Sequence, residues 1–157
     1  MPKLQQPELS VVIPSVNGWG DLERCLAALH RQEGDVALEV IVVDRIGELI
    51  RGWVRDRYPT VRLLEAPAGT TIPALRALAF DAACAPVIGV IEDHVIVPPQ
   101  WARQMLAMQG EGAEVVGGAV ENATFPRGAR SPRLTHHRPQ AVYASRLPAE
   151  SDDALIG

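Results

Sequence analysis

Aromatic residues are scarce in this chain of 157 residues: three tryptophans, two tyrosines and two phenylalanines make up 4% of it. So thin a set argues against the stacking platforms on which single-stranded nucleic acids are held. Cysteine is nearly absent. Cys25 and Cys84 each sit among apolar neighbours and read as buried thiols in a reducing compartment, which excludes a disulfide scaffold. No apolar run approaches the roughly 18–20 residues needed to span a bilayer. The opening MPKLQQPELS has no apolar leader core, so the expected location is cytoplasmic. There is no basic excess either: 15 Lys+Arg stand against 19 Asp+Glu, a net charge of −4. That disfavours nucleic acid as a partner. Phosphate-cradling glycine loops are also missing. No GxxxxGK[ST] occurs, and the first apolar run is followed by NGWG, not GxGxxG; an ATPase and a dinucleotide-dependent dehydrogenase are therefore disfavoured. No GxSxG elbow exists, and Cys84, placed inside an apolar helical pattern, has no partner nearby in sequence. A nucleophilic hydrolase is disfavoured on that ground.

What remains is an ordinary globular composition, 47% hydrophobic and 22% charged, at a length that suits one domain with a real core. Charge is unevenly spread. Between Asn122 and Ala149 lie Arg127, Arg130, Arg133, Arg138 and Arg146 with no acid, so the remainder carries −9 against the −4 of the whole. The same stretch holds four prolines and the pair His136–His137, without helical or alternating period. A boundary near residue 121 follows: an α/β domain over 1–121 and a basic, Pro/Arg-rich segment over 122–157.

The first region alternates strand and helix patterns. Strands are expected at Leu9–Pro14, Leu38–Asp44, Val61–Glu65, Pro86–Asp93 and Ala113–Val120. Leu22, Cys25, Leu26 and Leu29 recur at helical spacing, with Gly34 available to cap that helix. Further helices are expected over Ile46–Tyr58, along the face Ile72, Leu75, Ala79, Ala82, and after Pro98–Pro99, with Trp101, Met105 and Met108 on one side. The first, second and fourth strands are apolar almost throughout, as in strands covered on both faces. The order predicts a doubly wound, mostly parallel α/β sheet with helices on both faces, a Rossmann-like nucleotide-binding arrangement.

In such sheets ligands bind beyond the carboxyl ends of the strands. The first strand ends in Pro14-Ser15-Val16-Asn17-Gly18, the second in Asp44-Arg45, the fourth in Glu92-Asp93-His94. On an extended chain Glu92 and His94 point the same way and would share one cation, with Asp93 turned aside unless the strand bends. A carboxylate with an imidazole suits Mn²⁺ better than Mg²⁺. The bland alternative is that polar residues simply resume where strands end.

The segments LSVVIPSVNG, LERCLAALHRQ, LEVIVVD, GTTIPALRALAFDAACAPVIGVIEDH and VPPQW, in this order over about residues 9–120, resemble the N-terminal half of family 2 glycosyltransferases. The resemblance implies a GT-A-type fold and inverting transfer of sugar from a nucleotide-diphosphate sugar to an acceptor hydroxyl, with Mn²⁺ or Mg²⁺. It places Pro14, Ser15 and Asn17 along the nucleoside pocket, Asp44 on the uracil or ribose, and Arg76 facing the donor. Glu92 would take the ribose or sugar side and His94 the metal–diphosphate side, with Asp93 a metal ligand in a shifted register. Two departures stand out. The family often reads VDDGS where this chain reads VDRIG, and its metal motif commonly ends in Asp where this one ends in His94, which lowers the charge and makes binding pH-sensitive. No catalytic base is identifiable; the acids Glu121, Glu150, Asp152 and Asp153 match no base motif. A saccharide or lipid-linked acceptor is implied, and the arginine-rich segment suits peripheral contact with anionic lipid. Two further readings stay open: a non-catalytic nucleotide-sugar-binding module or truncated remnant, and an unrelated α/β interaction domain.

Overall fold

A computed structural model describes residues 6–112, 114–117 and 144–146. Six strands and four helices alternate along it: β1 (Leu9–Ser15), α1 (Trp19–His30), β2 (Leu38–Asp44), α2 (Glu48–Arg57), β3 (Arg62–Glu65), α3 (Ile72–Ala82), β4 (Val87–Val90), α4 (Trp101–Gly110), β5 (Val115–Val116) and β6 (Ala144–Arg146). They form one sheet in the order β3-β2-β1-β4-β6-β5. The first four strands are parallel, with β1 in full register against β2 from Leu9↔Leu38 to Ser15↔Asp44. β6 runs antiparallel to both β4 and β5. The mostly parallel α/β sheet expected from the apolar strands is what forms.

The strands are apolar on both sides because both faces are covered. Val11, Ile13 and Val42 pack with Leu22, Cys25, Leu26 and Leu29 of α1, Ile50 and Val54 of α2, and Trp101 and Met105 of α4. Val12, Ile41, Val43 and Ile88 turn to the other face and meet Leu75 and Ala79 of α3. Each fully buried Leu, Ile or Val of this kind contributes ~1.5–3 kcal/mol. Trp101 rests directly on β4 at Gly89, where a Cβ would come within 3.1 Å of the indole. Trp53 of α2 is half-buried and packs against the same cluster.

Several boundaries move. α1 ends at His30, and Gly34, with φ +89°, lies beyond its C-cap, Arg31. α2 starts two residues late because Gly47 makes the turn, at φ 142°. β4 stops at Val90, so Glu92, Asp93 and His94 stand in a loop. β5 is only Val115–Val116. Met108 on α4 is 46% exposed. Cys84 is neither buried nor helical: α3 ends at Ala82, and Cys84 lies exposed in the turn beyond it. Cys25 is buried as expected. Part of the basic segment, read as irregular, contributes strand β6 to the sheet. The proposed boundary at 121, His136–His137, Gly118 and the acids Glu121, Glu150, Asp152 and Asp153 lie outside the described residues.

Candidate functional site: a crevice along the carboxyl ends of the strands

The chain leaves β1 to build β2 and β3 on one side, then crosses back to place β4 on the other. The order reverses between β1 and β4, and at such a point the loops beyond the two strands part and leave a crevice. Here the loops after β1 and β4 are fastened to each other by Asp93. Its Oδ2 accepts 2.8 Å hydrogen bonds from the backbone N–H of Val16 and of Asn17, and its Oδ1 accepts one of 2.6 Å from Asn17 Nδ2. The side chain is wholly buried. The cause is a turn closed by Val95 N–H on the Glu92 carbonyl at 3.0 Å. That turn replaces the extended backbone on which the shared orientation of Glu92 and His94 was based, and it aims Asp93 inward.

Asp44 has a parallel task at the end of β2. It is also wholly buried. Its Oδ1 accepts from Ser15 Oγ at 2.8 Å, and its Oδ2 accepts from Gly47 N–H at 2.9 Å and Arg51 Nε at 3.0 Å. Both oxygens are thus engaged by the protein. Ser15, buried with it, is spent on the same contact, and Pro14 is a buried strand residue paired with Val43. Arg51 was not singled out from sequence. It sits seven residues after Asp44, one of several arginines on a polar helix, and only the fold shows it locked: Nη1 bonds Glu65, and Nη2 bonds the carbonyls of Asp44 and Ala66.

Glu92 and Arg76 do come together. The Arg76 guanidinium on α3 pairs with the Glu92 carboxylate in the loop after β4. Arg76 Nε is buried and has no hydrogen-bond partner among the described residues. His94 is exposed; its Nδ1 lies 3.3 Å from Asn17 Nδ2 and 3.5 Å from Asp93 Oδ1. Among the described residues no group of three His, Cys, Asp or Glu side chains is gathered closely enough to enclose a metal ion. Under this floor lies Cys25, whose thiol donates to the Glu92 carbonyl at 3.8 Å. Burial, and then the charge of Asp93, push its pKa up to about 12.

An open hollow of about 440 Å³ lies over the ends of β2 and β3, lined by Arg45, Ile46, Gly47, Arg51, Glu65, Ala66, Pro67 and Ala68. Arg45 Nη1 donates to the Thr70 carbonyl at 2.6 Å. The Trp19 ring packs at 5.3 Å on Trp53, and the Arg57 guanidinium lies 5.4 Å over it.

A half-sheet wound outward from β1 in both directions, with its polar groups gathered at the β1/β4 switch point, is a mostly parallel α/β arrangement of GT-A type. The sequence profile of Glycosyl transferase family 2 matches residues 10–153, and the chain belongs to that family. Solved structures agree on the fold. The crystal structure of S. aureus TarS superposes with a TM-score of 0.66 at 15% identity, covering 88% of this chain and 28% of that one. TarS 1-349 in complex with UDP gives 0.63 at 16%, covering 88% and 46%, and the complex with UDP-GlcNAc gives 0.64 at 16%, covering 88% and 45%. The chain thus spans less than half the length of each. A comparison with curated protein sequences returned no significant match. Among the described residues no helix is long and apolar enough to cross a membrane.

Proposed function

We propose that this chain binds a nucleotide-diphosphate sugar along the crevice and serves inverting transfer of the sugar to an acceptor hydroxyl, of a saccharide or a lipid-linked saccharide. The observation that carries the reading is Arg76: a guanidinium at the β1/β4 switch point, held by Glu92, with its buried Nε unpartnered. With its side chain 34% exposed, the Arg76 guanidinium at that place suits a diphosphate oxygen, because charge-assisted hydrogen bonds to anions are the strong ones. Family membership and the UDP and UDP-GlcNAc complexes of TarS support the same donor class.

Within this reading the residues divide by task. Arg76 binds the diphosphate. Asp93 and Asp44 touch no donor; they hold the loops after β1 and β2 in place, and Ser15, Pro14 and the Asn17 side chain serve that scaffold. Glu92 is taken by Arg76, and exposed His94 is the side chain left for a cation. An imidazole ligand, completed by diphosphate oxygens and water, would suit Mn²⁺ better than Mg²⁺. A bound cation there supplies neutralisation of charge on the departing diphosphate. The acceptor oxygen attacks the anomeric carbon from the side opposite the diphosphate, which inverts the centre, and it needs a base within hydrogen-bond reach.

Isothermal titration of the purified chain with UDP, GDP and CDP, with and without Mn²⁺, tests the donor reading. Binding in the micromolar range, weakened at least tenfold in Arg76→Ala, is expected, the size of a lost hydrogen bond to a charged group. Binding without transfer across a panel of sugars and acceptors would leave a nucleotide-sugar-binding module. No binding by any nucleotide would leave an α/β interaction domain.

A further inference from the structure

The loop after β4 carries one side chain whose hydrogen-bonding state follows from its neighbours. The Asn17 amide lies 2.6 Å from Asp93 Oδ1. A carboxylate has no hydrogen to give, so the amide atom at that place is the nitrogen, Nδ2. The same Nδ2 lies 3.3 Å from His94 Nδ1. An amide nitrogen only donates, so Nδ1 accepts in that contact and carries the lone pair. Asp93 Oδ1 is farther from Nδ1, at 3.5 Å, and already takes the short bond from Asn17. A neutral imidazole with its lone pair on Nδ1 has its proton on Nε2. Nε2 has no partner among the described residues, and the side chain is 57% exposed. The rest of the loop offers little to a cation. Both oxygens of Asp93 are bonded inward, and Glu92 is paired with Arg76.

We propose that Asn17 sets His94 as a hydrogen-bond donor, its Nε2–H meeting a diphosphate oxygen alongside Arg76, so that a nucleoside diphosphate binds here without a divalent cation. The inference rests on the donor-binding reading above and limits the part a cation plays in it. A metal-ligating imidazole donates its far N–H to an acceptor, which fixes the lone pair on the ligating nitrogen. Here the far nitrogen meets a donor instead. To ligate a cation, the His94 ring would have to pass its proton from Nε2 to Nδ1, where it would face the Asn17 N–H. With the proton left on Nε2, the ring offers an anionic oxygen a charge-assisted bond. Asn17 is thus a positioning residue, acting through the ring.

Titration with UDP, GDP and CDP, in EDTA and in Mn²⁺, tests this on the native chain, His94→Gln and His94→Asp. Glutamine keeps an N–H donor and is a poor ligand for Mn²⁺; aspartate is a ligand with no donor at neutral pH. The native chain is expected to bind in EDTA, His94→Gln to stay within about threefold of it, and His94→Asp to fall at least about tenfold, the size of one charge-assisted bond. The opposite order overturns the inference and leaves the donor reading standing: binding only in Mn²⁺, kept by His94→Asp and lost in His94→Gln. The ring itself is read by ¹⁵N NMR of the histidine-labelled chain at about pH 8, above the ordinary imidazole pKa, with His94 assigned from His94→Gln. A single Nε2–H form is expected, giving way to a mixture in Asn17→Ala. A proton on Nδ1 in the native chain, or an unchanged ring in Asn17→Ala, overturns the role of Asn17 and the inference with it. Failure of every nucleotide to bind in either condition overturns the donor reading, and the inference falls too.

Discussion

The two ends of the central sheet are stapled by the same device and left in opposite states. At the amino end Glu39 of β2 accepts from Ser10 Oγ of β1 at 2.5 Å and from the Cys84 N–H at 2.8 Å, while Arg62 of β3 reaches its other oxygen at 3.4 Å and the Ala82 carbonyl at 2.5 Å. Ser10 Oγ in turn accepts from Ala85 N–H at 3.0 Å. That carboxylate joins three strands and the turn after α3, with Arg62 engaged through Nη1 alone. At the carboxyl end Asp44 and Asp93 do the same for the loops after β2 and β1, yet around them Arg45, Arg76 and His94 keep donors or lone pairs to spare. The difference lies in burial. Asp44 and Asp93 are wholly buried, and Arg76 Nε beside them is buried without a partner among the described residues. Glu39 is partly exposed, and its network leaves no buried polar atom unpartnered among the described residues.

The sharpest way to break the comparison is Asp93→Ala. It strips the acceptor from two backbone N–H groups and one amide at once. A loss of about 3 kcal/mol in urea unfolding is expected, with nucleotide affinity falling although the Asp93 side chain is wholly buried. Unchanged stability would show that the loop after β1 is held by its own backbone. The amino end should respond less and through pH. Burial raises the Glu39 pKa, but hydrogen bonds from Ser10, Cys84 N–H and Arg62 outweigh it, so the folded value lies below the ordinary one. A depressed carboxylate contributes stability that is present above its unfolded pKa and lost as pH falls through the folded one. Stability should therefore decline below about pH 4.5. Glu39→Gln, costing about 1 kcal/mol at pH 7, should remove Glu39's share of that decline without touching nucleotide binding. The smallest effect is chemical. With its pKa near 12 and its side chain buried under the crevice, Cys25 should resist thiol reagents at pH 8, while exposed Cys84 reacts at once. Two fast equivalents would mean that α1 does not cover β1 as described.

How far sequence carried the argument differs between the two ends in the same way. Apolar runs such as LSVVIP and LEVIVVD, and the spacing of Leu22, Cys25, Leu26 and Leu29, are one-dimensional signals of burial, and the parallel sheet and its helices follow from them. The site was legible as a set of strand ends but not as a set of tasks. Whether Asp93 faces a ligand or a backbone depends on one turn after Val90, and an apolar run does not say where its last residue bends. Arg51 and Glu39 carry no local signature, because their partners lie on other strands. Cys84 looked buried because its neighbours are alanines, whose strong helix preference hides the end of α3 at Ala82. Strand β6 was invisible for a related reason: three residues in a proline-rich tract have too little pattern to announce pairing.

That strand has a consequence for time. β6 sits between β4 and β5, so Val115–Val116 pairs with Ala144–Ser145 and not with the strand that precedes it in the chain. A polypeptide emerging from the ribosome completes β4 with one edge bare, and that edge stays bare for more than fifty further residues. Unpaired parallel-sheet edges are sites where nascent chains stick to one another. Until residue 146 has emerged, the half-sheet must keep that edge from other chains; once it has, two strands join the sheet together.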